Sequence, residues 1–182
     1  MSSLTSKRAY ALKSRLLASV IVTLGYQAAF AFPEGAPWGA ANPNAAENCT
    51  TCHFDNEAVQ DSSSLSIKGL PEELAPDTTY ELVVTFDNPE GIAAGFQLIA
   101  WGDDPNTGTF ESEADNTEAV GATIRSTSPI VKTGSVSWTL TWHTPATMDK
   151  SVTIYVAATA ANHDQSPLGD RVHFRSYRIS PE

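Results

Sequence analysis

The sequence predicts an all-β protein: an antiparallel, immunoglobulin-like β-sandwich with a loop-rich N-terminal extension. Three observations predict it. Segments rich in β-branched and aromatic residues recur along residues 62–182 and are separated by polar turns. No segment keeps a helical period for the length of a helix. One segment, Val136 to Trp142, alternates without a break. Val136, Trp138, Leu140 and Trp142 fall on one face, and Ser137, Thr139 and Thr141 on the other. That pattern belongs to a strand with one face in a core.

The strands follow in order. Leu65-Ser66-Ile67 alternates. Thr79 to Phe86 is dense in β-formers and stops at Asp87-Asn88-Pro89. Gly95 to Trp101 is the next strand. Asp103 to Asn116 is a polar, acidic loop. Ala119 to Arg125 forms a strand, then Val136 to Trp142, Val152 to Ala160 and Arg171 to Ile179. About seven strands without a long helix make an antiparallel sandwich.

Ahead of them, Phe32 to Asp61 is broken by Pro33, Gly35, Pro37, Gly39 and Pro43. At most a helical turn is expected there, at Asn56 to Gln60. Before Phe32, Lys7, Arg8, Lys13 and Arg15 form a basic region, Leu16 to Phe30 is mainly apolar, and Ala29-Phe30-Ala31 is a small-x-small cleavage pattern. This predicts a Sec-type signal peptide over residues 1–31 and a periplasmic or secreted protein. A membrane anchor is the alternative. The stretch is short for a span and carries Thr23, Gly25, Tyr26 and Gln27. The expected division is 1–31 signal peptide, 32–61 extension and 62–182 sandwich.

The whole chain has 11 basic and 21 acidic residues, a net charge of −10. Removing the leader leaves seven basic against 21 acidic residues, a charge of −14. Such a chain repels nucleic acid and anionic lipid. It suits a partner with a basic surface.

The extension holds both cysteines of the chain, in Cys49-Thr50-Thr51-Cys52-His53. This is C-x-x-C-H, the attachment pattern of a c-type haem. Two thiols three positions apart add to the two vinyl groups of one porphyrin, and the adjacent imidazole ligates the iron. A redox pair, a structural disulfide and half a zinc site are the other readings. No βαβ pattern surrounds the motif, and no second Cys or His pair lies near it. The expectation is one covalent haem c, held by Cys49 and Cys52 with His53 as proximal ligand. Asn48-Cys49-Thr50 also matches a glycosylation triplet, which a thioether at Cys49 would crowd.

The mature chain resembles the bacterial Reeler-like, choice-of-anchor V family of secreted domains. The residues that carry the resemblance span most of it. Gly35-Ala36-Pro37-Trp38-Gly39 leads into the C-x-x-C-H, and Gly95-Phe96-Gln97-Leu98 and Gly108-Thr109-Phe110 follow. Trp138 to Pro145 reads W-x-x-x-W-x-x-P, Val152-Thr153-Ile154-Tyr155 matches a V-x-F-Y strand, and Ala160-Ala161-Asn162 with Gly169-Asp170 brackets a loop. The resemblance implies a Reeler-type sandwich and little about activity. Two positions depart from the family pattern. Ser126-Thr127-Ser128 stands where members have His-Thr-Ser, and Asn162-His163-Asp164 stands where they have Asn-Gly-Asn.

The iron's sixth ligand has four candidates: His143, His163, His173 and Met148. Suppose the strand ending at Ser126 pairs with Val136–Trp142, and that strand with Val152–Ala160. Ser126 and His163 then share one end of the sandwich and His143 lies at the other. This favours His163, with His143 second. His173 alternates with Arg171 and Arg175, which predicts a solvated face, and Met148 falls in a polar turn that predicts exposure. No nucleophile elbow, phosphate loop or H-E-x-x-H is present, so no enzyme is expected. Asp103, Asp104, Glu111, Glu113 and Asp115 lack the spacing of a Ca²⁺ loop. Asn162, Asp164 and Asp170 could hold a cation or cap turns. The expected function is an exported mono-haem cytochrome that exchanges electrons with a redox partner protein. A Reeler-like adhesion or binding module with structural haem or none is the alternative. Sensing or peroxide chemistry at an open iron is a weaker one.

Overall fold

A computed structural model describes residues 35–88 and 90–182. The predicted leader, its cleavage after Ala31 and the alternative anchor lie outside the described residues. No helix among those described is long and apolar enough to cross a membrane.

Among the described residues eleven strands form two facing sheets: β1 (Leu65–Lys68), β2 (Glu73–Leu74), β3 (Thr79–Asn88), β4 (Ala93–Gly102), β5 (Thr109–Ser112), β6 (Thr117–Val120), β7 (Thr123–Ser126), β8 (Ile130–Val131), β9 (Gly134–His143), β10 (Val152–Ala161) and β11 (Arg171–Pro181). The smaller sheet runs β1-β3-β9-β5. The larger runs β2-β11-β10-β4-β7-β6, with β8 also paired to β4. Apart from the parallel β2–β11 contact, the pairs are antiparallel. The all-β sandwich predicted from the sequence is the fold.

The core lies between the sheets. Val136, Trp138, Leu140 and Trp142 of β9 point into it, as their alternation predicts. They meet Phe96, Leu98 and Ala100 of β4 and Ile154, Val156 and Ala158 of β10. Trp138 stacks on Phe96 at 4.6 Å between ring centroids. Trp142 Nε1 donates to Thr107 O at 3.1 Å. The chain beside that ring must be bare: Gly108 has φ +95°, and a Cβ there would strike the His143 carbonyl.

Three local expectations are corrected. Ala119–Arg125 is two strands, because Gly121 takes φ +56° and folds β6 back on β7 through a two-residue turn. The acidic loop 103–116 contains β5, which continues the smaller sheet past β9. Asn56–Gln60 forms no helical turn. Val59 bonds Val172 O and Phe174 instead and lies along the edge of β11.

The pairings assumed for the histidines also differ. β7 pairs with β4 and β6, and β10 with β4 and β11, while β9 pairs with β3 and β5. The inferred ends nevertheless agree. Ser126 Oγ bonds Phe96 N, near the end of β4 where Ala93 pairs with Ala161. The loop 162–170, with His163, leaves that same end. His143 pairs with Thr79 at the opposite end, about 30 Å away along ten-residue strands.

Residues 35–62 form a belt across the outer face of the larger sheet. Arg125 Nη1 donates to Ala36 O, and the guanidinium lies 4.2 Å from the Trp38 ring centre. Gln97, almost fully buried, donates to Pro37 O at 2.8 Å and accepts from Ala41 N at 3.1 Å. Beyond it, Cys49 and Ala58 pack against Ala41, Ile99, Ala157, Val172 and Phe174, a second apolar cluster outside the sandwich. At the far edge Val59 and Ser62 join β11 through backbone bonds.

Candidate haem-attachment site

The C-x-x-C-H segment is a single capped turn on the belt. Asn48 accepts from Thr50 N at 2.9 Å, and Thr51 Oγ1 accepts from Asn48 N at 3.1 Å, a reciprocal cap on the 3₁₀ turn Cys49–Thr51. The Asn48 amide also donates to Pro43 O and Ala45 O. That side chain caps the turn and holds the preceding loop. His53 N donates to Cys49 O at 3.1 Å and closes the turn. Three positions apart on such a turn, Cys49 and Cys52 fall on one side.

The two thiols differ in surroundings. Cys49 sits at the seam between belt and sheet, and its Sγ lies 3.4 Å from Ala40 O. Desolvation pushes its pKa up to about 12, countered in part by the backbone bond and reinforced by the neighbouring Cys52. By surface exposure both residues are half-buried, and it is the packing of the Cys49 Sγ into the seam that sets them apart.

His53 is held from behind. Its Nδ1 is buried and lies 3.0 Å from Asp170 Oδ2, off the axis of a straight hydrogen bond. Asp170 is itself buried, and its Oδ1 accepts from Asn162 N at 3.1 Å. Two further bonds tie the turn to the same loop. Gly169 N donates to Asp55 Oδ2 at 2.6 Å, and Asn56 Nδ2 donates to Asp170 O at 3.1 Å. With Nδ1 against the carboxylate, Nε2 is the ring nitrogen left available to a ligand role. Two thiols on one turn and an imidazole presenting Nε2 fit the donor set of a covalent haem.

The sixth-ligand candidates are spread over the molecule. His163 is exposed on the 162–170 loop, at φ +61°, one residue from the Asn162 amide that bonds Asp170. His143 ends β9, with Nδ1 2.9 Å from Thr79 Oγ1 and Nε2 3.3 Å from Glu111 Oε2. Met148 lies at that same far end and is half-buried against the core, not exposed as expected. His173 corrects a second expectation: it is buried and faces inward. Its Nδ1 is 2.8 Å from Ser62 Oγ and its ring makes an edge contact with Phe86. The pattern misled because Arg171 and Arg175 reach outward from the edge strand, to Glu90 and to the carbonyls of Ser62 and Leu65.

Sequence reasoning missed Asp170 as a partner of His53 and Gln97 as the anchor of the belt. It also missed an open cavity of about 340 Å³ beside the belt, lined by Trp38, Asn42, Glu47, Ile99 and Trp101. Asn162 and Asp164 cap turns in their own loop. Among the described residues, no three His, Cys, Asp or Glu side chains converge as a metal cage.

No protein-family model matches the chain, and no curated protein is similar to it. Among solved structures, it is similar to the Reelin-N domain of F-spondin, with 15% sequence identity and a TM-score of 0.51, over 73% of this chain and 96% of that one. It is also similar to the human F-spondin reeler domain, with 14% identity and a TM-score of 0.49, over 70% and 96%. At such identity the likeness concerns the fold. The chain has a Reeler-type β-sandwich fold, with the C-x-x-C-H belt laid across its larger sheet.

Proposed function

We propose that this chain is an exported binding module built on a Reeler-type sandwich, and that its belt holds one covalent haem c. The observation that carries this reading is the fixation of His53. A capped turn sets both cysteines on one side, and a buried carboxylate stands behind Nδ1, leaving Nε2 to ligate. A bound haem c would supply one reversible electron at its iron. The chain's own residues do the rest. Asn48 and Thr51 hold the turn, Asp55 and Asn56 pin it to the 162–170 loop, and Gln97 holds the belt to the sheet. A frame of this kind limits rearrangement of the attachment turn, and the acidic surface suits a basic partner.

The burial of Cys49 supports an order of events. A thiol held protonated at a packed seam is a poor nucleophile. Attachment therefore belongs before the belt closes, on the exported and still unfolded chain. The test is the intact mass and visible spectrum of protein made with a cytochrome c maturation system. A mass equal to the bare polypeptide overturns the haem reading.

The second reading is a Reeler-type binding or adhesion module without haem. The fold likeness to the F-spondin domain favours it, as does the packing of Cys49 into the seam. A bare, monodisperse and stable protein from the same expression supports it.

A further inference from the structure

We propose that Asp170 is the positioning residue of His53, a carboxylate that makes the imidazole an electron-rich ligand and so holds the reduction potential of the site down. This rests on the haem reading above. The carboxylate is only 3% exposed, yet among the described residues no lysine or arginine forms an ion pair with it. Its two oxygens meet Asn162 N and His53 Nδ1. Burying a carboxylate without a cation is costly unless polar contacts offset it. Here one of its two partners is the imidazole of the attachment motif, 117 positions away in the sequence.

The placement is built from both sides. Asp55 and Asn56 lie two and three residues after His53, and each bonds the loop at Gly169 or Asp170. The imidazole therefore has little freedom to turn away from the carboxylate. A carboxylate beside the far nitrogen favours the tautomer with its proton on Nδ1, and a ligand imidazole so placed donates more strongly through Nε2. A more basic ligand stabilises the oxidised iron over the reduced one, which lowers the potential. The off-axis geometry of the contact suits a bond that straightens when Nε2 is drawn to a metal.

The experiment compares reduction potentials of haem-loaded wild type, Asp170→Asn and Glu111→Gln, each with haem verified by mass. Asp170→Asn is isosteric and can still accept from Asn162 N, but loses the charge at His53. Glu111→Gln removes a carboxylate that lies beside a different histidine, His143, at the far end of the sandwich. The expected result is a clear upward shift for Asp170→Asn, near wild-type potential for Glu111→Gln, and a shift back toward wild type for Asp170→Glu. An unshifted Asp170→Asn, or equal shifts in it and Glu111→Gln, overturns the positioning role and leaves the haem reading standing. A wild type that carries no haem overturns both. Should Asp170→Asn fail to fold, the Nδ1 proton of His53 in reduced, CO-bound wild type decides. A strongly deshielded resonance supports the carboxylate bond, and an ordinary one overturns it.

Discussion

Gln97 and Ala41 are bonded across 56 positions of sequence: the backbone N–H of Ala41 donates to Gln97 Oε1 at 3.1 Å. The other end of the same carboxamide donates to Pro37 O at 2.8 Å. One buried amide on β4 thus satisfies a donor and an acceptor of the belt. Gln97→Ala strands both groups and opens a gap beneath them. The expected cost is about 1–3 kcal/mol for the unsatisfied backbone groups. Limited proteolysis should then cut within residues 36–60 much faster than in wild type. A belt that stays equally resistant would show that Gln97 does not anchor it.

Cys49 and Cys52 should react very differently in folded protein that lacks haem. The Cys49 thiol, pushed up to about 12, holds almost no thiolate at pH 8 and lies in the seam. Alkylation at pH 8, read by peptide mapping, should modify Cys52 first, with Cys49 reacting only once denaturant opens the belt. Equal rates at both would mean that the belt opens freely in the folded protein.

The two core tryptophans differ in one hydrogen bond. Trp142 Nε1 donates to Thr107 O, whereas Trp138 Nε1 is buried without a partner. Replacing either by Phe loses similar packing. Trp142→Phe also leaves the Thr107 carbonyl unpaired, whereas Trp138→Phe removes an unsatisfied donor. Trp142→Phe should be the more destabilising, by roughly 1–3 kcal/mol in denaturant melts. The reverse order would mean that Trp138 Nε1 finds a bond, for instance to water.

Much of this fold could be read from the chain because single-face burial leaves a period. β9 has that period, and its inward residues are the predicted ones. The belt left a signal of a different kind. In Val152–Ala161 the apolar run hardly alternates, and in Gly95–Trp101 the face opposite Phe96 and Leu98 carries Ile99 and Trp101 beside Gln97. Strands covered on both faces read this way. What covers the second face is the extension that proline and glycine had marked as structureless. The C-x-x-C-H pattern of Cys49 to His53 was legible because its five residues are contiguous. Asp170 was not, since a carboxylate far along the chain carries no local pattern that ties it to His53. His173 was misread because an edge strand lets Arg171 and Arg175 bend to other partners and mimic a solvated face.

His173 should make the protein acid-sensitive. Burial disfavours its charged form and lowers its pKa; the Glu90 charge raises it somewhat and Arg171 lowers it again. The unfolded chain, with an ordinary histidine near 6.5, therefore binds the proton more readily than the folded one. Stability from this site is complete above the unfolded pKa and is lost as pH falls below it toward the folded value. Melting temperature should drop between pH 7.5 and 5.5, and His173→Gln, which keeps a polar partner for Ser62, should flatten that drop. A variant with the same slope as wild type would assign the acid sensitivity to other groups.

The last prediction concerns the second axial position, where haem is attached. A bound iron would be held by Nε2 of His53, and the 162–170 loop meets that ring at Nδ1 through Asp170. His163 belongs to this loop and its side chain is exposed. His143 and Met148 lie at the other end of the sandwich, and His173 is enclosed with Ser62 and Phe86. With the belt docked, none of these four side chains is expected to fill the sixth position. The ferric protein should therefore be high-spin and the ferrous protein should bind CO readily. His163→Ala and His143→Ala should leave both spectra unchanged. A low-spin wild type that turns high-spin in His163→Ala would return the role to His163, and would mean that the loop swings round the ring when haem is present. A low-spin spectrum that survives both substitutions would call for a ligand outside these four side chains, or for release of the belt from the sheet.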